Sequence, residues 1–258
     1  MKMAKSKHIV LIHGNFINNH AWSAWKKHYE ARGYIVHTPA NPGHDGEPVA
    51  LRKNIHPDLA TTGITEVVEH LEKLIDFLPE KPLVVGHSMG GLAVMKLIER
   101  GKAIAGVSVD GAPPNNIPAP FSTLKMVFPA LGLFSTKKTW LGSRKWFDKA
   151  FFNTLPTGDR AAAYNSYAVP ESFKINTSIL FSKFGKIDFK KPHEPLLFIG
   201  GGSDQIFSSK FTKKIASKYK DENSKVDVKI FAGRSHFICG EPGWEEVADY
   251  ILNWYENL

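Results

Sequence analysis

The segment Gly86-His87-Ser88-Met89-Gly90 carries the residue types and spacing that most directly imply chemistry. It follows the apolar, β-branched run Leu83-Val84-Val85 and opens a helix-length stretch from Met89 to Arg100 that Gly101 would stop. A serine between glycines at a strand-to-helix turn has its Oγ lifted clear of the sheet. The N–H of the next residue, Met89, then lies at a helix N-terminus, where an oxyanion can be held. With 17 serines and 21 glycines in the chain, only about 0.1 chance matches to Gly-x-Ser-x-Gly are expected.

A serine nucleophile needs a base, and the base needs a carboxylate to orient it. Among 11 histidines, His236 is preferred because Gly233-Arg234-Ser235-His236 lies between the last strand-like run and the last helix-like stretch, on the same edge as Ser88. For the acid, Gly200-Gly201-Gly202-Ser203-Asp204 follows an apolar strand, and its glycines let the turn aim Asp204 at the neighbouring loop. Asp110, at the end of another strand, is the rival acid; with Asp204 preferred, it is expected to be an ordinary turn aspartate. Leu11-Ile12-His13-Gly14-Asn15-Phe16 ends the first strand, and its glycine lets the backbone fold over the nucleophile. The Asn15 N–H, with that of Phe16 beside it, is the expected second oxyanion donor. His13 and His87 read as structural, and Cys239 as a small buried hydrophobe rather than a nucleophile.

Six strand-like runs would position these groups: Ile9–Ile12, Tyr34–Thr38, Leu83–Gly86, Ile104–Val109, Leu196–Gly200 and Val226–Phe231. Helices are expected over His20–Ala31, Ile64–Phe77, Met89–Arg100, Ser209–Lys218 and Trp244–Tyr255. The alternation is that of βαβ units around a parallel sheet, with right-handed crossovers covering both faces. It breaks once, between Ala112 and His193, where 14 of the 30 aromatics fall. A structureless loop of that length is improbable in a compact domain, so residues 112–193 read as a helical cap inserted into a core of residues 1–111 and 194–258.

At 43% hydrophobic and 22% charged, the chain has enough apolar material for a packed core, which excludes disordered and fibrous classes. The net charge of +8 is almost entirely local, because residues 112–195 hold 12 Lys or Arg against 5 Asp or Glu. Such a surplus usually marks a solvated face; attraction to an anionic substrate or a lipid surface is the functional alternative. Aromatics among the cations could suit single-stranded nucleic acid, but no binding motif accompanies them and no nucleic-acid partner is expected. One cysteine forms no internal disulfide and builds no zinc or iron–sulfur site. With no apolar run long enough for a signal peptide or a membrane span, a cytoplasmic protein is expected.

In these motifs the sequence resembles the α/β-hydrolase family, and the resemblance runs over essentially the whole chain: the His13-Gly14 loop, the Gly86–Gly90 elbow, Asp204, His236, and a cap after the strand ending at Asp110. It implies an α/β fold with a six-stranded, mainly parallel sheet, strand order 2-1-3-4-5-6, helices on both faces and a helical cap after the fourth strand. Only twelve residues precede His13, leaving no room for the family's usual leading antiparallel hairpin. Asn41-Pro42-Gly43-His44-Asp45-Gly46 resembles the family's Pro-Gly-His-Gly loop, with Asp45 extra. Compact plant methylesterases and hydroxynitrile lyases look similar. The lyases follow their histidine with a lysine where this chain has Phe237, which argues against cyanohydrin chemistry. Epoxide hydrolases and dehalogenases carry an aspartate where this chain has Ser88.

The expected activity is therefore hydrolysis of carboxylic esters of small molecules through Ser88, His236 and Asp204, with Met89 and Asn15 N–H groups at the oxyanion and without cofactor or metal. Thioester or lactone hydrolysis would use the same machinery. A hydrolase-like receptor that senses a ligand without turnover is the alternative from another class. Phe16, Phe121, Trp140 and Phe237 are the expected substrate-contacting side chains, with cap aromatics over an apolar pocket. Oligomeric state is not legible in the sequence.

Overall fold

A computed structural model describes residues 5–135 and 137–258. Six strands form one sheet: β1 (His8–Ile12), β2 (Ile35–His37), β3 (Leu83–His87), β4 (Ala105–Val109), then, past the small strands β5 and β6 of the intervening segment, β7 (Leu196–Gly201) and β8 (Val226–Phe231). Their order is β2-β1-β3-β4-β7-β8, and every pairing is parallel. Burial on both faces explains the composition of the central strands: every residue of β3 and β4 is buried, and no polar alternation appears. The edge strand β8 is only partly covered, which is why Asp227 and Lys229 are tolerated in it.

Helices surround the sheet. In α3 (Ile64–Asp76), Ile64, Val67, Val68, Leu71 and Ile75 recur at helical spacing and are buried, while Glu66 closes the first turn on the Gly63 N–H. In α4 (Met89–Glu99), every residue from Met89 to Ile98 is buried, as expected of a helix held between the sheet and α3. α1 (Ser23–Glu30) packs on α10 (Trp244–Glu256) through Trp25 against Trp244 and a Tyr29 hydroxyl donated to Ala248 O. The helix expected from His20 is divided: Asn18 caps a short 3-10 turn, Asn19–Trp22, before α1 begins. A short α2 (Pro48–Lys53) was not foreseen, and α9 (Ser209–Ala216) fills the β7–β8 crossover.

Between β4 and β7 lie α5 (Phe121–Val127), α6 (Arg144–Ala150), α7 (Arg160–Tyr167) and α8 (Phe173–Phe181), with the two-residue antiparallel strands β5 (Thr139–Trp140) and β6 (Glu171–Ser172). Helices of seven to nine residues give too few turns for a periodic signal, which is why this segment reads only as a break in the alternation. Among the described residues, no helix is long and apolar enough to cross a membrane.

Candidate functional site

Three strand ends deliver the chemistry-bearing groups to one edge. Ser88 follows β3 directly, with φ 55° and ψ −117°, and its N–H donates to Val109 O at 2.9 Å. A Cβ at Gly86 would collide with the Gly90 carbonyl, and one at Gly90 with the Ile12 carbonyl, so the turn closes only with glycine on either side. A non-glycine residue in this region stores about 1–3 kcal/mol of backbone strain, here held by the hydrogen bonds around it.

His236 and Asp204 are both buried, and His236 Nδ1 donates to Asp204 Oδ2 at 2.8 Å. The other Asp204 oxygen accepts N–H groups from Ile206 (2.6 Å) and Phe207 (3.0 Å), so the turn after β7 fixes the carboxylate. With Nδ1 committed to the acid, His236 Nε2 is the basic nitrogen; it is buried without a hydrogen-bond partner. The imidazole packs against Phe151 and Phe207, ring centroids 4.9 and 5.5 Å away, and both phenylalanines line the cavity that Ser88 also lines. His87 reaches back to the same loop, donating Nε2–H to His236 O at 2.6 Å; burial and the neighbouring His236 hold its own ionisation well below the usual histidine range. It braces the loop that carries His236.

Asp110 is not the turn residue expected from the sequence. It is fully buried, with φ 43°, and its Oδ1 accepts the Gly201 N–H at 2.7 Å. Burial, and then the adjacent Asp204 carboxylate, push its ionisation well above the usual range, so Asp110 is a neutral acid. Asp110, Asp204 and His236 each bring one donor atom within 4.8 Å of the others, a spacing that a metal could bridge. The Asp204–His236 hydrogen bond already occupies two of those side chains, and the geometry fits proton transfer better than coordination.

The loop after β1 covers Ser88 closely: a Cβ at Gly14 would lie 2.7 Å from Ser88 Cβ. Among the described residues, neither the Asn15 nor the Met89 main-chain N–H has a hydrogen-bond partner. The Asn15 side chain is fixed by a relay in which Asn15 Nδ2 donates to Asn176 Oδ1 at 2.8 Å and Asn176 Nδ2 donates to Ala130 O at 2.8 Å. His13 holds the loop from behind, donating Nδ1–H to Gly14 O and accepting the Asn41 N–H. Burial and the nearby His44 keep it neutral, pushed down to about 3.

Ser88, Met89, Asn15 and Phe16 line one cavity with residues of α5, α8 and the turn after β7; apart from Asn15, Ser88, Thr123 and Asn176 its wall is apolar. Its volume of about 80 Å³ is room for roughly half a dozen water-sized groups. Three expected substrate contacts lie elsewhere. Phe121 is 80% exposed on the outer side of α5. Trp140 stands behind the wall, edge-on to Phe16 and Trp146 at 5.3 and 5.1 Å. Phe237 is buried against Phe152 and Tyr167. Aromatic composition points to a cap but does not say which face each ring takes. Asn176, which lines the cavity from α8 among the helix's other polar residues Lys174, Thr177 and Ser178, has no local signal and was missed.

The segment between β4 and β7 is fastened to the edge that carries Ser88, Asp204 and His236. Asn153 Nδ2 donates to Ser203 O at 3.0 Å, beside Asp204. Thr154 donates to Glu241, whose carboxylate also takes the Ser235 N–H and hydroxyl, beside His236. Thr123 Oγ1 donates to Ile206 O at 2.7 Å. On the far side His44 Nε2 lies 3.3 Å from Glu171 Oε2, both buried. Burial alone would lower His44, but the Glu171 carboxylate and its hydrogen bond outweigh it and raise the value. Cys239 is buried and its thiol is pushed up by desolvation.

The chain belongs to the alpha/beta hydrolase family, whose pattern it matches over residues 9–250. Solved structures agree in fold along nearly the whole length. A monoacylglycerol lipase of Paleococcus ferrophilus superposes with a TM-score of 0.69 at 20% identity, covering 99% of this chain and 96% of that one. Tomato methylketone synthase I complexed with 2-tridecanone gives 0.69 at 20% identity and 99% of both chains. A pyrethroid hydrolase of Sphingobium faniae gives 0.73 at 16% identity and 98% of both. No curated protein sequence matches the chain.

Proposed function

We propose that the protein is a serine hydrolase that cleaves carboxylic esters through an acyl-enzyme. The observation that carries this reading is the Asp204–His236 hydrogen bond, with the free Nε2 of His236 packed beside the cavity into which the strained Ser88 turn opens. In the proposed reaction, Ser88 Oγ attacks the acyl carbonyl as His236 Nε2 takes its proton, and Asp204 stabilises the imidazolium. The main-chain N–H groups of Met89 and Asn15 stabilise the tetrahedral oxyanion, a contribution of about 3 kcal/mol for one such donor. His236 returns the proton to the leaving alcohol. Water, deprotonated by the same imidazole, then releases the acid and restores Ser88.

The apolar wall favours a compact apolar group next to the carbonyl. The ester hydrolase names of the lipase and pyrethroid hydrolase neighbours support the same bond class. The test is turnover of p-nitrophenyl esters with labelling by a fluorophosphonate. Repeated turnover and one label per chain, both abolished in Ser88→Ala with its circular dichroism unchanged, are the expected results. A label on another residue, or full activity in Ser88→Ala, would overturn the mechanism, and a single stoichiometric burst would point to a ligand sensor.

A further inference from the structure

The outer face of the cap inverts the usual arrangement of a surface helix. In α5, Thr123 faces inward and is fastened to Ile206 O, while Phe121, Leu124 and Phe128, spaced three and four apart, form one stripe that is 80%, 41% and 50% exposed. The chain then turns through Leu133 and Phe134, the latter 91% exposed with its ring 6.4 Å from that of Phe128. Phe181, at the end of α8, is 73% exposed. Scattered exposed apolar residues need no explanation, but five of them within residues 121–134, with a sixth at the end of α8, do. The face also meets the cavity: Leu124 belongs to both the stripe and the lining, and Leu180, beside Phe181, lines the same cavity.

The charge around this patch has one sign. From Gly111 to Phe147 the sequence contains no Asp or Glu, while it carries Lys125, Lys137, Lys138, Arg144 and Lys145. Lys125 lies four residues after Phe121, alongside the stripe, and all four lysines are exposed. Among the described residues, none of these lysines forms an ion pair; Arg144 pairs with Asp148. A water-facing surface is not stabilised by exposed phenylalanines, and a surface meant for a second copy of this basic chain would gather like charges at the contact. Apolar side chains ringed by unpaired cations match a bilayer with anionic headgroups, where the rings reach the acyl boundary and the lysines stay at the phosphate level.

We propose that this face of the cap docks on anionic lipid bilayers, with Phe121, Phe128, Phe134 and Phe181 inserted and Lys125, Lys137 and Lys138 at the headgroups. Docking is independent of the chemistry at Ser88; only the delivery of lipid-dissolved esters into the adjoining cavity rests on the hydrolase reading.

The experiment is sedimentation of the full chain with phosphatidylcholine vesicles, with and without about 30 mol % phosphatidylglycerol. Expected is at least about tenfold stronger partitioning onto the anionic vesicles, falling as NaCl rises from about 0.05 to about 0.5 M. Phe128→Ser/Phe134→Ser/Phe181→Ser should lose it, and Lys137→Glu/Lys138→Glu should lose the preference for anionic lipid. Both should turn over p-nitrophenyl acetate like the unaltered protein, since these residues are outside the cavity. Hydrogen–deuterium exchange of the unaltered protein with anionic vesicles should show protection at residues 121–135, a readout that needs no variant. No partitioning, equal partitioning onto both vesicles without salt dependence, or protection elsewhere would overturn the proposal. So would a dimer that the phenylalanine variant dissociates, since a second copy would then be the occupant. Absence of binding by the unaltered protein with its esterase activity intact would refute docking alone, and binding by it without any activity would refute the hydrolase reading alone.

Discussion

Replacing Asp110 by Asn should leave the enzyme nearly unchanged, whereas the same change at Asp204 should nearly abolish it, although both are buried aspartates one strand apart. With donor atoms at most 4.8 Å apart, two ionised carboxylates would repel by at least about 3 kcal/mol at an effective dielectric of about 20. Burial adds to that cost, so one carboxyl keeps its proton, and the pull of Gly201 N–H on one Asp110 oxygen does not reverse the outcome. An Asn amide reproduces the neutral acid: its oxygen keeps the Gly201 N–H, its NH2 faces Asp204, and asparagine tolerates φ 43° well. Asp110→Asn is therefore expected within about threefold in kcat/KM. Asp204→Asn removes the charge that orients and stabilises the imidazolium and should cost about 10⁴ in kcat. Asp110→Ala leaves the buried Gly201 N–H unpaired and should cost about 1–3 kcal/mol of stability.

Stability against pH gives a second readout for the same pair. A carboxyl whose folded value is raised binds its proton more tightly folded than unfolded, so folding weakens as pH rises above about 4, where the unfolded Asp ionises. Asp110→Asn lacks this penalty and should gain stability relative to the unaltered protein between about pH 4 and neutrality. The assay is p-nitrophenyl ester kinetics with thermal unfolding at both pH values. If Asp110→Asn loses about 10³ or more while Asp204→Asn keeps activity, the roles of the two carboxyls are exchanged and the neutral-acid argument fails.

The remaining tests concern the fastenings. His44 has a raised folded value, so its stabilising contribution is complete below about 6.5 and is lost as pH rises through that raised value; melting curves should show Glu171→Gln losing more stability at about pH 6 than at about pH 9, and an equal loss at both would refute the charged pair. Glu241→Ala strips partners from Ser235 N–H, Ser235 hydroxyl and Thr154 hydroxyl. It should cost about 2–4 kcal/mol in urea unfolding and lower kcat more than it raises KM, because the loop bearing His236 loosens. An unchanged kcat would place Glu241 outside the support of the base.

What was legible in the sequence was what is encoded locally or by order. The elbow is a strand, a turn that only glycines can close and a helix, all within a few residues, so its type and place are read directly. The sheet follows from apolar runs too continuous to face water. Long-range pairing was not legible. Nothing near Asp110 tells that the turn after β7 will bring Asp204 against it, and nothing near Asn176 tells that its amide will anchor Asn15. The cap aromatics failed for another reason. Phe121 and Phe147 have the same chemistry, but one is exposed on α5 and the other fully buried on α6, and helices of about two turns leave no periodicity from which to decide.

Strain is concentrated where the chemistry is proposed. Among the described residues, the non-glycine positions with positive φ are Phe16, Ser88 and Asp110, at 68°, 55° and 43°. They lie at the ends of three strands that are neighbours in the sheet, β1, β3 and β4. Each is pinned by a main-chain hydrogen bond to a separate element: Phe16 O accepts from Val169 in the cap, Ser88 N–H donates to Val109, and Asp110 N–H donates to Ile199. At about 1–3 kcal/mol each, three such residues would relax if their partners were free to follow them. They are not free, because Val109 and Ile199 are fully buried within the parallel sheet and Val169 adjoins the Pro170–Glu171 segment joined to His44. The sheet and the segment between β4 and β7 thus hold the three turns from opposite sides, so a lesion at the His44–Glu171 fastening, far from Ser88, should reach the site through Val169 and Phe16 before it reaches the elbow.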